Sequence, residues 1–305
     1  MSLYSAIAGR GPTGFGYGST AEDVTAGLDL TGKTILITGC NSGLGQESAR
    51  VLASRGARIV GLARTEAKAA TALAPFGSGH VPVACELSEP ASVRAAVEKV
   101  KGVAPLDVLL CNAGIMALPK LEKKDGYELQ FFTNHVGHSI LVMGLLDHLT
   151  PDARVVMLSS TAHMMAPSAG IEFDNLSGDK GYSSWRNYGQ AKLANLLFAK
   201  QLATRFEGSK RTANAVHPGV IETNLGRHMN PLMRMSFSLG NPLFLKTIPQ
   251  GAATQCYVAV HPAAAGINAK YWADSNIAKE SANARDPALA KRLWEETERI
   301  LAAVG

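Results

Sequence analysis

Seven short apolar runs, at residues 33–38, 58–63, 81–85, 106–111, 154–159, 212–217 and 269–272, recur along the chain with longer amphipathic stretches between them. Most of these runs lack the polar/apolar alternation of a half-exposed strand. That is how strands covered on both faces of a parallel sheet read. Parallel neighbours need crossover connections, and residues 44–55, 90–101, 126–148, 185–205 and 250–260 have the spacing of the helices that would supply them. The expected fold class is therefore α/β, a doubly wound parallel sheet flanked by helices. No repeat or low-complexity linker divides it, so the 305 residues are read as an arm with a short helix (1–30) and one domain (31–305).

Composition narrows the function classes. With 46% hydrophobic and 18% charged residues the chain is neither disordered nor a disulfide scaffold. The net charge of +5 is spread out, and the longest basic cluster, Lys123-Lys124, has Glu122 beside it. That is a solvated surface rather than a nucleic-acid stripe. Cys40, Cys85, Cys111 and Cys256 show no CxxC or metal-ligand spacing. They read as reduced core thiols in a cytoplasmic compartment, and no metal is expected. No signal-peptide pattern opens the chain and no run of about 18 apolar residues occurs, so neither secretion nor membrane spanning is expected. The arm is glycine-rich from Gly9 to Gly18, and Thr20-Ala-Glu-Asp23 reads as the cap of a short helix that Gly27 stops.

The chemistry starts directly after the first strand, at Thr38-Gly39-Cys40-Asn41-Ser42-Gly43-Leu44-Gly45. Glycines there permit a tight turn and let the backbone approach a pyrophosphate at a helix N-terminus. At the end of the second strand, Ala63-Arg64-Thr65 carries no acid to read a ribose diol; Arg64 instead suits a 2′-phosphate. The expected cofactor is thus NADP(H). Further on, Tyr188-Gly-Gln-Ala-Lys192 spaces two side chains four apart on one helical face. The ammonium is expected to lower the tyrosine pKa and fit it for proton exchange. A surface pair is the plainer alternative for these two residues alone.

Taken in order, TGCNSGLG, CNAG at Cys111–Gly114, Asn134 in NHVGH, Ser159-Ser160, YGQAK and His217-Pro218-Gly219 resemble the short-chain dehydrogenase/reductase family. YELQFFTNHVGH, YGQAKLANLLF, NAVHPGVIETNLGRH and IPQGAATQCYVAVHP are most similar to its retinol-dehydrogenase-like branch and to short-chain dehydrogenases associated with the chloroplast inner-envelope import machinery. The resemblance implies a Rossmann-like NADP-binding domain with a substrate lid after the sixth strand. It implies Tyr188 as general acid/base, Lys192 on the nicotinamide ribose, Ser160 on the substrate oxygen, and Asn134 maintaining a water-linked proton path. It assigns the cofactor to Gly39, Asn41, Ser42, Gly43, Leu44, Gly45, Arg64, Glu86, Leu87, Asn112, Ala113, Gly114, Tyr188, Lys192, Pro218, Gly219 and Thr223.

The implied reaction interconverts a lipophilic ketone or aldehyde and its alcohol. The alternative is an NADP(H)-binding redox sensor or regulatory subunit with little turnover. Cys111 and Glu86-Leu87 depart from the family's usual Asn and Asp-Leu, and Ser160 and Tyr188 stand 28 residues apart, with Gly170-Ile-Glu-Phe-Asp-Asn-Leu expected as a flap. Met229, Met233, Met235, Phe237 and Phe244 suit either a lid over an apolar substrate or helix packing, and Arg227, Arg234 and Lys246 beside them raise peripheral membrane contact as a third reading. Homo-oligomers through the two long helices are a family habit that the N-terminal arm and the C-terminal stretch 286–304 could alter.

Overall fold

In the computed structural model, which describes residues 9–221 and 245–304, the apolar runs form strands β1 (Thr34–Thr38), β2 (Arg58–Ala63), β3 (Val81–Ala84) and β4 (Leu106–Cys111). A two-residue hairpin, β5 (Lys123–Lys124) and β6 (Tyr127–Glu128), precedes β7 (Leu149–Leu158), β8 (Thr212–His217), β9 (Tyr271–Ala273) and β10 (Asn276–Ile277). Among the described residues the main sheet has eight strands in the order β10-β9-β8-β7-β4-β1-β2-β3. All its pairings are parallel except β9 with β10.

The helices are α1 (Ala21–Thr25), α2 (Gly43–Ser54), α3 (Glu66–Leu73), α4 (Pro90–Lys101), α5 (Leu129–Phe131), α6 (Gly137–Leu145), α7 (Ser184–Arg205), α8 (Ile248–Val260) and α9 (Pro287–Ala303). Strand side chains alternate between two cores. Leu36, Leu109, Val155 and Met157 face α4, α6, α7 and α9, whereas Ile35, Ile37, Leu110 and Val156 face α1, α2 and α8. Both faces are covered, which is why the runs read as continuous apolar sequence.

The chain steps from β1 outward to β2 and β3, then returns across β1 to β4. This reversal opens a crevice at the C-terminal ends of β1 and β4, where such sheets bind ligands. The candidate residues lie along that edge.

Several elements differ from the sequence expectation. Residues 126–148 are not one helix: β6 takes the first turn, the Glu128 carboxylate then caps α5 by accepting the Phe131 N–H at 2.8 Å, and a π-helical turn, Phe132–Val136, joins α5 to α6. The last parallel strand begins at Tyr271 because Ala269 has a left-handed φ of 58°. Asp274 and Ser275, at φ 52° and 60°, turn the chain into antiparallel β10. The stretch after Gly170 is packed rather than a free flap. Ile171 and Leu176 join the main core, and Arg292 lies 4.0 Å above the Phe173 ring.

The short N-terminal helix has the expected capping box between Thr20 and Asp23. Before it, Thr13 bonds to the Asn276 side chain at 3.0 Å and Phe15 packs edge-on against Tyr257. At the other terminus α9 lies across α6 and α7, with Trp294 stacked 4.9 Å from Phe198. All four cysteines are free and buried. No helix among the described residues is long and apolar enough to cross a membrane. Thr223, Arg227, Arg234 and the Met/Phe positions 229, 233, 235, 237 and 244 lie outside the described residues.

Candidate active site

The turn after β1 is built around its backbone. Gly39 and Gly43 have left-handed φ values of 70° and 53°, which L side chains adopt only with strain. A Cβ on Gly45 would lie 2.2 Å from the Gly39 carbonyl oxygen, so the third glycine lets α2 close onto the turn. A Cβ on Gly43 would meet nothing within 4 Å. Asn41 and Ser42 are exposed beside it, Leu44 is buried, and Ser42 precedes α2 without a side-chain cap on its N–H groups. No acidic residue occupies the first turn of α2. Open N–H groups, a positive helix end and space above a glycine fit a dinucleotide pyrophosphate.

Buried polar groups hold this turn in place. Thr38 Oγ1 accepts the Asn112 and Ala113 N–H groups, each at 2.9 Å, and Asn112 Nδ2 donates to the Thr38 carbonyl at 2.9 Å. Gln255 on α8 donates to Asn112 Oδ1 at 3.1 Å and Ser48 Oγ at 2.7 Å. The ends of β1 and β4 are thereby fixed relative to α2.

At the end of β2, Arg64 is exposed and has no hydrogen bond or ion pair among the described residues. One turn into α3, Lys68 borders a hollow of about 340 Å³ with Asn41, Gln46 and Thr71. Glu66, two residues after Arg64, is engaged by Lys99 at 2.8 Å. The Glu86 carboxylate accepts the Ser88 hydroxyl at 3.0 Å and so is turned into its own loop. Leu87 is buried, and its carbonyl is approached so closely by Gly137 that a Cβ there would lie 2.2 Å away.

The catalytic candidates converge at the ends of β4 and β7. Tyr188 is 7% exposed and Lys192 3%, which excludes the reading of the pair as a surface contact. Lys192 Nζ lies 5.6 Å from the centre of the Tyr188 ring and donates to the Leu158 carbonyl at 3.1 Å. Its two remaining protons have no acceptor among the described residues. A Cβ on Gly114 would sit 2.9 Å from Asn134 Oδ1 and 3.5 Å from Lys192 Nζ, placing the three residues around one point. The Asn134 side chain is tied to Ile115 by both its atoms, at 2.8 and 2.9 Å.

Ser160 follows β7 and is held from several sides. Its Oγ accepts the Ala162 N–H at 3.1 Å, its carbonyl contacts His163 Nδ1 at 2.6 Å, and Thr161 N donates to His217 Nδ1 at 3.3 Å. Ser159 fastens the strand end to α7 by donating to the Lys192 carbonyl at 2.8 Å. The Ser160 hydroxyl stands close enough to Tyr188 to oppose the rise of its pKa.

The electrostatics modify the sequence expectation. Burial pushes the Tyr188 phenol well above its usual value, and only the bond to Ser160 opposes it. Burial alone pulls Lys192 down to about 8. Lys192 directs a proton at a backbone carbonyl and lies beside the ring, so here desolvation governs the tyrosine rather than the ammonium. At neutral pH both groups carry their protons.

Beyond β8, Pro218 and Gly219 form a half-buried turn, with Gly219 at φ 92°. Lys246 packs its stem under Gly219, where a Cβ would come within 2.6 Å. Its ammonium is 1% exposed, 2.6 Å from Asp274, and 4.7 Å from the Tyr17 ring. Lys246 is therefore a buried anchor and not a basic residue offered to a membrane. Trp185, edge-on to Tyr188 at 6.1 Å, and the exposed Met164, Met165 and Val220 were not singled out from the sequence. Neither were Thr38, Lys68 and Gln255; only the first has a sequence signal, its place directly before the glycine turn. Among the described residues no group of three or more His, Cys, Asp or Glu could hold a metal ion.

Comparison with known proteins agrees with this geometry. The family model described as short chain dehydrogenase matches residues 33–233. The chain is 42% identical to short-chain dehydrogenase TIC 32 B, chloroplastic, of Brassica napus over 97% of both chains. It is 37% identical to retinol dehydrogenase 14 of Homo sapiens, covering 88% of this chain and 86% of the relative. A solved structure of an uncharacterised protein from Mycobacterium Paratuberculosis superposes with a TM-score of 0.75 at 32% identity, over 93% of this chain and 97% of that one. Sheet order, glycine turn and the Ser160, Tyr188 and Lys192 group thus coincide with sequence kinship over nearly the whole chain, and the chain belongs to the short-chain dehydrogenase family.

Proposed function

We propose that this protein is an NADP(H)-dependent oxidoreductase that interconverts a lipophilic ketone or aldehyde and its alcohol. The observation that carries the reading is the convergence of Ser160, Tyr188 and Lys192 beside Gly114 and Asn134. The nicotinamide supplies a hydride to the carbonyl carbon when bound. Tyr188 Oη delivers its proton to the oxygen that gains charge. Ser160, whose Oγ already accepts the Ala162 N–H, would swing its hydroxyl proton from Tyr188 to the same oxygen. Lys192, with one proton on the Leu158 carbonyl, would offer its two remaining N–H groups to a ribose diol. Gly39, Asn41, Ser42, Gly43, Leu44 and Gly45 would cradle the pyrophosphate, with Glu86, Leu87, Asn112 and Ala113 along the adenosine side. Pro218, Gly219 and Thr223 are assigned to the nicotinamide side.

Arg64, exposed at the end of β2, and Lys68, which shares a hollow with Asn41, support NADP(H) over NAD(H), since both are cations and the carboxylates of Glu66 and Glu86 are engaged elsewhere. The apolar side chains of Trp185, Met164, Met165 and Val220 support a lipophilic substrate. The free buried thiols support a reducing, cytoplasm-like compartment.

The test is cofactor oxidation with NADPH and with NADH across aromatic, terpenoid, retinoid-like and aliphatic carbonyls. Turnover with NADPH is expected for at least one apolar class, and Arg64→Ala should cut the preference for NADPH about tenfold or more. Unchanged discrimination in that variant contradicts the role of Arg64. Tight NADPH binding without turnover on any carbonyl contradicts the enzyme and favours the sensor.

A further inference from the structure

His138 is fully buried at the start of α6, and both of its ring nitrogens touch groups that hold the site. Nδ1 lies 2.9 Å from the backbone carbonyl of Asn134, and Nε2 lies 2.9 Å from Thr38 Oγ1. The first contact reaches the π-helical turn that carries Asn134. The second reaches the hydroxyl that ties β1 to β4 at the glycine turn.

The partners dictate where the proton sits. A carbonyl only accepts, so Nδ1 must carry hydrogen to bond Asn134. Thr38 Oγ1 already accepts two N–H bonds, from Asn112 and Ala113, which uses both its lone pairs. Its own proton is then directed at Nε2, which must be bare. Two independent contacts thus require the same neutral tautomer. An imidazolium would point a second N–H at an oxygen with no lone pair left, and burial, with a smaller contribution from the Lys192 ammonium, also disfavours that charge.

We propose that His138, locked as the neutral Nδ1–H tautomer, is a positioning residue that couples the cofactor cradle to the π-helical turn that carries Asn134. Through Nε2 it orients the Thr38 hydroxyl and so the Asn112-Ala113-Gly114 turn. Through Nδ1 it sets the height of the Asn134 backbone, and with it the Asn134 side chain beside Lys192. It does not touch substrate. The inference rests on the proposed function for its kinetic meaning, but the tautomer and the cofactor affinity are measurable without any substrate.

The test uses the full-length protein. Long-range proton–nitrogen NMR of histidine-labelled wild type should show one ring, lost in the His138 variants, as a neutral Nδ1–H imidazole. An Nε2–H or charged ring at neutral pH overturns the proposal. Two substitutions then separate the two bonds. His138→Asn places an N–H near the Nδ1 position and leaves Thr38 without its acceptor. His138→Gln reaches toward Thr38 and gives up Asn134. NADPH affinity should fall about tenfold in His138→Asn while kcat stays within about threefold, and kcat should fall about tenfold in His138→Gln while NADPH affinity stays within about threefold. Equal losses of both quantities in both variants, or no loss in either, overturn it. If neither variant folds, the tautomer in the wild type decides; if no substrate turns over, the tautomer and the NADPH affinities decide.

Discussion

At the residue scale, Lys192 is placed where stability and chemistry oppose each other. Its ammonium is buried with one carbonyl partner, and its pKa falls from 10.5 to about 8. Between those values the unfolded chain holds a proton that the native state has released, so stability rises with pH through that window. Below about 8 the native protein bears the cost of a buried charge. Lys192→Met should therefore abolish turnover yet stabilise the cofactor-free protein at pH 7 by roughly 1–3 kcal/mol, with the gain shrinking toward pH 10. Denaturant titrations at the two pH values measure it, and a destabilised variant at pH 7 would contradict the assignment.

The glycines and the Tyr/Ser/Lys set were legible in the sequence at this scale, because each answers a local chemical need. The burial of the tyrosine and the buried anchorage of Lys246 were not. Those depend on what folds over them from elsewhere, as Asp274 and Tyr17 do for Lys246.

At the scale of elements, the strands were readable because a sheet covered on both faces must be apolar throughout. The breaks in residues 126–148 were not readable from the same pattern. A hairpin turn, a capping Glu128 and a π-helical turn all keep apolar residues inside without disturbing the helical period enough to show. The edge strand β10 escaped notice because two residues give no period at all.

The helix α9 bears on assembly. Trp294 stacks on Phe198, Arg205 covers the other ring contact at 4.1 Å, and Thr297 bonds His135 at 2.9 Å, so α9 fills the face where the resemblance would put a partner subunit. Arg94 holds its end by donating to the Leu301 and Val304 carbonyls, each at 2.9 Å. A second copy pairing through α6 and α7 would have to displace this packing. Light scattering after gel filtration should accordingly give the mass of one chain, and a stable dimer at micromolar concentration would contradict the reading of α9 as the cover of that face.

At the scale of the molecule, the sheet's reversal at β1 and β4 brings together residues that are far apart in sequence. Thr38, Asn112, Asn134, Ser160, the Tyr188-Lys192 pair and Gly219 belong to six different segments, yet they line one edge. Motif order predicts such a gathering for this family, while the distances that make it a site are set by the two cores on either face. His138 shows how tightly the parts are joined, since one ring touches both the Thr38 hydroxyl at the cofactor turn and the backbone of Asn134, whose side chain lies beside Lys192.

The central claim is that Tyr188 moves the proton in carbonyl reduction, and it is tested most directly by single-turnover measurement on Tyr188→Phe. The variant loses one hydroxyl from a buried ring and should keep NADPH affinity within about threefold, while its rate on a carbonyl that the wild type reduces falls on the order of a thousandfold. Reduction of that carbonyl at the wild-type rate would contradict the account.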